Sequence, residues 1–115
     1  MILREMEVTY LKTLKTSEEF TDLINSDNII ALFTADWCPD CRVIEPILPE
    51  IEEAFSDYHF VMIDRDSFID LCQQYDVFGI PSFIAFRKGR EIGRFVSKER
   101  KSKEEIVEFI ETLPV

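Results

Sequence analysis

Residues 35–41 read ADWCPDC: two cysteines separated by a proline and an aspartate, with a tryptophan just before the first. The residues leading into it, NIIALFTA (28–35), form a continuous apolar run. Such a run marks a strand buried on both faces. Cys38 therefore follows a buried strand directly and opens a helix, with Pro39 at the first helical position, where its missing N–H costs nothing. A helix start presents unpaired N–H groups and about half a positive charge, which stabilise a thiolate. Cys41 falls one turn inward on the same face, within reach of a disulfide. Cys38 is thus expected to be the attacking thiolate and Cys41 the more buried resolving thiol. Two other readings stay open. A zinc site would need Cys72 and His59 as further ligands, at irregular spacing and without a second C-x-x-C. A purely structural pair would not need Trp37 and Pro39 beside it.

The chain around this motif bounds the answer. Its 115 residues suit one domain spanning 1–115, long enough to bury a core without staples. Hydrophobic residues make up 46%, including ten phenylalanines, which argues against disorder. A net charge of −10 argues against nucleic acid as the main partner, since a phosphate backbone needs cations opposite it. Residues 87–103 run against that balance: eight of the 13 basic residues lie there with only Glu91 and Glu99, giving +6 and leaving −16 for the rest. The plain reading of that segment is a solvated hairpin and helix start; the other is a patch for an acidic partner. No apolar run approaches the length of a membrane span, and MILREMEVTYLKTLKT places Arg4, Glu5 and Glu7 where a secretory core would run. Three cysteines do not make a disulfide framework, which points to a reducing, cytoplasmic setting.

Strands and helices alternate along the chain. VTYL (8–11) is expected as a short first strand. Thr16 and Glu19 read as a capping box for a helix with Phe20, Leu23 and Ile24 on its buried side. A long helix is expected from Cys38 to about Phe55, striped by Ile44, Ile47, Leu48, Ile51 and Phe55, kinked by Pro46 and made irregular by Pro49 one turn further on. HFVMID (59–64) reads as a second buried strand and residues 67–75 as a short helix. SFIAFR (82–87) and EIGRFV (91–96), joined by KGR, read as a hairpin. Ser102 and Glu105 cap a last helix bearing Ile106, Phe109, Ile110 and Leu113. The order βαβαβαββα predicts an α/β domain: a mixed central sheet with helices on both faces. Phe68, Leu71, Cys72 and Tyr75 fall at helical spacing, so Cys72 is expected in the core, and His59 at a surface or edge.

These segments together resemble the thioredoxin family over nearly the whole chain. ALFTADWCPDC resembles the family's strand and Trp-Cys-x-x-Cys segment, CRVIEPIL its kinked helix, VMID its third strand, YDVFGIPSF its cis-proline signature and FRKGREIGRF its last hairpin. The resemblance implies a thiol–disulfide oxidoreductase of the thioredoxin fold. It would work through its own Cys38–Cys41 dithiol, with no other cofactor and no metal. Trp37 would shield the thiols, Pro39 and Asp40 would border the substrate, Pro81 would be cis, and the Ile80 backbone would pair with a substrate strand. Implied partners are disulfide-bearing proteins or small thiols as substrates and a reductase or low-molecular-weight thiol as electron donor, acting on a monomer, away from membranes. The rivals are a non-catalytic module that docks partners in the same groove, and an oxidase or isomerase.

Four positions depart from the family pattern. Leu32 stands where a buried aspartate is usual and Phe60 where a lysine is usual, a paired loss that avoids leaving one buried charge alone. The drier floor disfavours thiolates. Asp40, beside Cys41, does the same by its charge, which places the couple on the reducing side, on the order of −270 mV or somewhat above. Asp40 is also a candidate relay for the Cys41 proton. Ser97 replaces a glycine beside the groove and is expected to narrow it. The acids Asp36, Asp40, Glu45, Asp64 and Asp66 at the cysteine end suggest a preference for basic or neutral substrates, or only a solubilising surface.

Overall fold

The computed structural model describes residues 12–26 and 28–114. In chain order the elements are β1 (Lys12–Thr13), α1 (Ser17–Ser26), β2 (Ile29–Thr34), α2 (Pro39–Ile44), a 3₁₀ turn (Glu45–Ile47), α3 (Leu48–Ala54), β3 (His59–Asp64), α4 (Ile69–Gln74), β4 (Ser82–Arg87), β5 (Arg90–Phe95) and α5 (Lys103–Glu111). The expected strand at 8–11 lies outside the described residues.

β2 is buried at all six positions, as its unbroken apolar run requires. It pairs in parallel with β3 and antiparallel with β4, so it sits at the centre of a sheet ordered β1-β3-β2-β4-β5. Alternate residues face opposite ways. Ile29, Ala31 and Phe33 join Val61, Ile63, Ile84 and Phe86 under α1 and α4, contributed by Phe20, Ile24, Leu71 and Cys72. Ile30 and Leu32 join Phe60, Phe83 and Ala85 under α2, α3 and α5, contributed by Ile44, Leu48, Ile51, Ile106, Ile110 and Leu113. The first layer is tied by Phe20, Tyr75 and Phe86, whose rings meet edge-on at 5.5–5.6 Å. Such pairs add about 0.5–1.5 kcal/mol each beyond the area they bury. Cys72 lies in this layer, 6% exposed, and burial pushes its thiol up. His59 is exposed at the start of β3.

The structure corrects the expected continuous helix over 38–55. Two prolines break it. Pro46 sits inside the 3₁₀ turn and Pro49 in the first turn of α3, so the segment is two short α-helices joined by a 3₁₀ turn. Each proline lacks the N–H an α-helix would use, and a 3₁₀ turn absorbs the gap. The helix expected over 67–75 is shorter, Ile69–Gln74, and the last strand begins at Arg90 because only Lys88 and Gly89 make the turn. Both turn residues have positive φ, 53° and 81°, the geometry that suits the twist of a two-residue hairpin. At Gly89 a side chain would also strike Asn25, and its N–H donates to the Ile24 carbonyl at 2.7 Å.

Capping follows the sequence with one variation. Ser102 and Glu105 close both halves of the box at α5. At α1 the Glu19 N–H donates to Thr16 Oγ1 at 3.0 Å, but the Glu19 carboxylate reaches one residue further, accepting from the Lys15 N–H at 2.8 Å. These contacts and Lys12 hold the Glu19 carboxyl below its usual range.

Glu52 is the unexpected group of the second layer. It lies on α3, only 7% exposed, and one carboxylate oxygen accepts the Phe60 N–H at 3.1 Å while the other has no partner. Burial raises its pKa above the ordinary carboxylate value. A raised folded-state pKa means the fold binds the proton more tightly than the unfolded chain. The contribution is complete below the unfolded pKa and is lost as pH rises through the folded one. Glu52→Gln is therefore predicted to gain stability relative to the wild type as pH is raised from about 4 to 7. Urea unfolding of both proteins across that range checks this, and a stability difference independent of pH would refute it.

Candidate active site around the cysteine pair

At its C-terminal end β2 delivers Thr34 and Ala35 to a tight turn, and the chain enters α2 at Cys38. Cys38 is the N-cap: its backbone is extended and its Sγ accepts the Cys41 N–H at 3.2 Å. The sulfur takes the place that a hydroxyl or carboxylate oxygen holds at most helix starts. Pro39 occupies the first turn as expected. Cys38 and Cys41 are joined by a disulfide, with Cα atoms 5.3 Å apart, within the range such bonds require. Cys38 is 4% exposed and Cys41 1%, and both pack with Ala35 and Ile80. Among the described residues no cluster of three or more His, Cys, Asp or Glu side chains could hold a metal ion.

A groove of about 330 Å³ lies over this pair, lined by Trp37, Cys38, Pro39, Asp40, Arg65, Phe78, Gly79, Ile80 and Lys98. The structure thus brings together in the groove lining five of the seven residues singled out in sequence, all but Cys41, which lies beneath, and Pro81, which is buried behind the lining. The Ile80–Pro81 peptide is cis, and the Ile80 carbonyl oxygen lies 4.0 Å from Cys38 Sγ. Trp37 is 59% exposed and is fixed at its edge, where Nε1 donates to Asp66 at 2.7 Å. The Arg65 guanidinium sits 5.8 Å from its ring.

Asp40 is not the free acid that the sequence suggests. Arg100 Nε donates to Asp40 Oδ1 at 3.0 Å, across 60 residues of chain. The charge placed beside Cys41 is therefore opposed, which weakens the expectation that Asp40 alone makes the couple more reducing. Ser97 also behaves differently from expectation. It does not line the groove; its hydroxyl accepts from Lys101 Nζ at 3.1 Å and from the Glu99 N–H at 3.3 Å, within its own segment. Leu32 and Phe60, each 1% exposed, belong to the apolar layer under α2 and α3.

Sequence reasoning did not single out Lys101 for this site. It is 2% exposed, its ammonium donates to the carbonyls of Ser97 and Glu99 and to the Ser97 hydroxyl, and it lies 5.0 Å from the Phe95 ring centre. All its direct partners are neutral, and burial pulls its pKa down, opposed by the more distant Glu105, Glu99 and Asp40. Lys101 closes residues 97–101 into a compact strap. That strap abuts Gly79: a Cβ on Gly79 would stand 2.5 Å from the Ser97 carbonyl oxygen. One rigid segment thus touches the loop before Pro81 at one end and the acid between the cysteines at the other. A run of basic residues gave the only hint, and nothing in it distinguishes the buried lysine from its exposed neighbours.

The comparisons with known proteins agree with this geometry. A family model described as Thioredoxin matches residues 11–112. The chain is 35% identical over 106 residues to thioredoxin H5 of Arabidopsis thaliana, covering 90% of this chain and 87% of that protein. It is 31% identical over 96 residues to the mitochondrial thioredoxin-2 of Schizosaccharomyces pombe, covering 80% and 72%. The oxidised mitochondrial thioredoxin 3 of Saccharomyces cerevisiae superposes with a TM-score of 0.73 at 26% identity, covering 85% of this chain and 93% of that one.

The close approach at Gly79 yields a direct prediction. Gly79→Ala must push the 97–101 strap away from the groove, at a cost of about 1–3 kcal/mol, because the atoms in the way are backbone. Thermal unfolding of Gly79→Ala checks it; a melting temperature equal to that of the wild type would show that the strap yields freely.

Proposed function

Since the chain belongs to the thioredoxin family and is a thiol–disulfide oxidoreductase, we propose that Cys38 is its attacking sulfur and Cys41 the sulfur that resolves the intermediate. The observation that carries this is the position of Cys38 Sγ: it caps α2, faces the Cys41 N–H and lies in the lining of the groove, while Cys41 lies below it. In the reduced protein the same N–H stabilises a Cys38 thiolate. That thiolate attacks one sulfur of a substrate disulfide. The substrate S–S bond breaks, one substrate sulfur leaves as a thiolate and takes up a proton, and a Cys38–substrate disulfide forms. Cys41 then loses its proton and attacks Cys38 Sγ, releasing the second substrate thiolate and closing the Cys38–Cys41 bond. Two electrons pass from the protein to the substrate.

An external dithiol or a reductase returns those electrons, so the cycle needs no bound cofactor. Arg100 holds the Asp40 carboxylate beside the pair, and the Cys41 proton passes to that carboxylate or to water. The substrate segment lies extended along the Ile80 backbone, with Trp37 and Phe78, 66% exposed, as its apolar walls. Substrates are disulfide-bearing proteins, and the chain acts as a monomer in the reducing cytoplasm. No helix among the described residues is long and apolar enough to cross a membrane.

Insulin reduction tests the roles, with dithiothreitol or NADPH and a thioredoxin reductase as the electron source. Cys38→Ser is expected to fall to the rate without protein, and Cys41→Ser to accumulate a mixed disulfide with substrate that mass spectrometry detects at residue 38. Equal rates for wild type and Cys38→Ser would instead mean a docking module without catalysis.

A further inference from the structure

The groove is more cationic than its surroundings, once the charges already engaged within the protein are set aside. Asp40 is held by Arg100. Asp66 takes the Trp37 N–H and an ion pair from Arg65 at 3.3 Å. Asp64 accepts the Asp66 N–H at 2.9 Å and the Ser67 hydroxyl at 3.4 Å. Asp36 and Glu45 do not line the groove. Of the three charged residues that do, Asp40 and Arg65 are paired, whereas Lys98 is exposed and forms no ion pair among the described residues. The Lys98 backbone is also held in place, because its own N–H and the Ser97 carbonyl pack against Gly79, at the start of the loop that carries Ile80.

We propose that Lys98 makes this groove select disulfides flanked by carboxylate side chains in a protein or peptide substrate. This rests on Cys38 being the attacking sulfur, and it reverses the preference that the acids of the cysteine end suggest in the sequence. An extended substrate strand running past Ile80 brings a residue next to the attacked cysteine within reach of the Lys98 ammonium. A carboxylate there gains a partner that no group of this protein already occupies. A lysine there meets a like charge, while Asp40 and Asp66 are paired within the protein and Asp36 and Glu45 do not line the groove. The +6 segment at residues 87–103 thus has a use at its groove end, on a chain whose net charge is −10.

The test uses short peptides closed by one disulfide, identical except that glutamate or lysine flanks the cysteines. For each, kcat/KM is divided by the rate at which dithiothreitol alone reduces the same peptide, which removes the effect of the flanking charge on the leaving thiol. The wild-type ratio of glutamate to lysine peptide is expected to be about fivefold in low salt and to shrink toward one in about 0.5 M salt. Lys98→Glu is expected to bring the ratio below one. Arg90→Glu makes the same change in net charge on the outer strand and is expected to keep the wild-type ratio. A wild-type ratio of one or less, or an equal fall in both variants, overturns the proposal. Loss of activity toward both peptides in Cys38→Ser supports the catalytic reading beneath it; full activity there would overturn that reading, and the proposal with it.

Discussion

The site depends on one contact, the hydrogen bond from the Cys41 N–H to Cys38 Sγ at the start of α2. A helix must satisfy its first N–H groups, and here a sulfur does so. That requirement fixes the Cys38 rotamer, places the sulfur at the end of the buried strand β2, and sets Cys41 directly beneath it. The apolar run of β2 anchors the arrangement from below, and Pro39 begins the helix at the right residue. Remove any of these and the two sulfurs no longer meet at the mouth of a groove. Capping and redox chemistry therefore make the same demand on the sequence.

The fold was legible where a pattern has one physical meaning. The unbroken run at 28–35, the alternation that splits β2 between two layers, and the Ser102–Glu105 box all formed as their chemistry dictates. The break at Glu45–Ile47 was less so, because a proline signals a lost hydrogen bond but not how the chain absorbs it. The cysteine pair was legible from spacing, and the loop before Pro81 from its resemblance to the family's segment. The charges around them were not. Asp40 meets Arg100 across 60 residues, and no local pattern reports a partner that far along the chain. Ser97 was read as a groove residue, yet its hydroxyl turns to Lys101.

Two buried charges occupy the same face of the sheet and are satisfied unevenly. Glu52 keeps one oxygen unpartnered, and Lys101 has only neutral oxygens and a ring around it. Buried charges of this kind seldom add stability compared with apolar side chains of equal size. What Lys101 supplies is shape: three donors on one ammonium draw residues 97–101 into a strap that a hydrocarbon could fill beneath but not fasten. The usual buried aspartate and lysine of the family are absent at Leu32 and Phe60, so the polar contacts near the groove come from its rim instead of its floor.

The outer strand carries a consequence of its own. β5 ends the sheet beyond β4, and a row of unpaired backbone groups on such an edge can recruit a neighbouring chain. Here the strand carries Arg90, and Glu91 and Arg94 lock together through two hydrogen bonds at 2.7 and 2.8 Å. The register also slips between Ala85 and Phe86, twisting the pair away from flatness. An incoming strand would have to desolvate those charges and match an irregular ladder. This edge of the sheet is thereby guarded against fibrous self-association during the many cycles in which the sulfurs open and close.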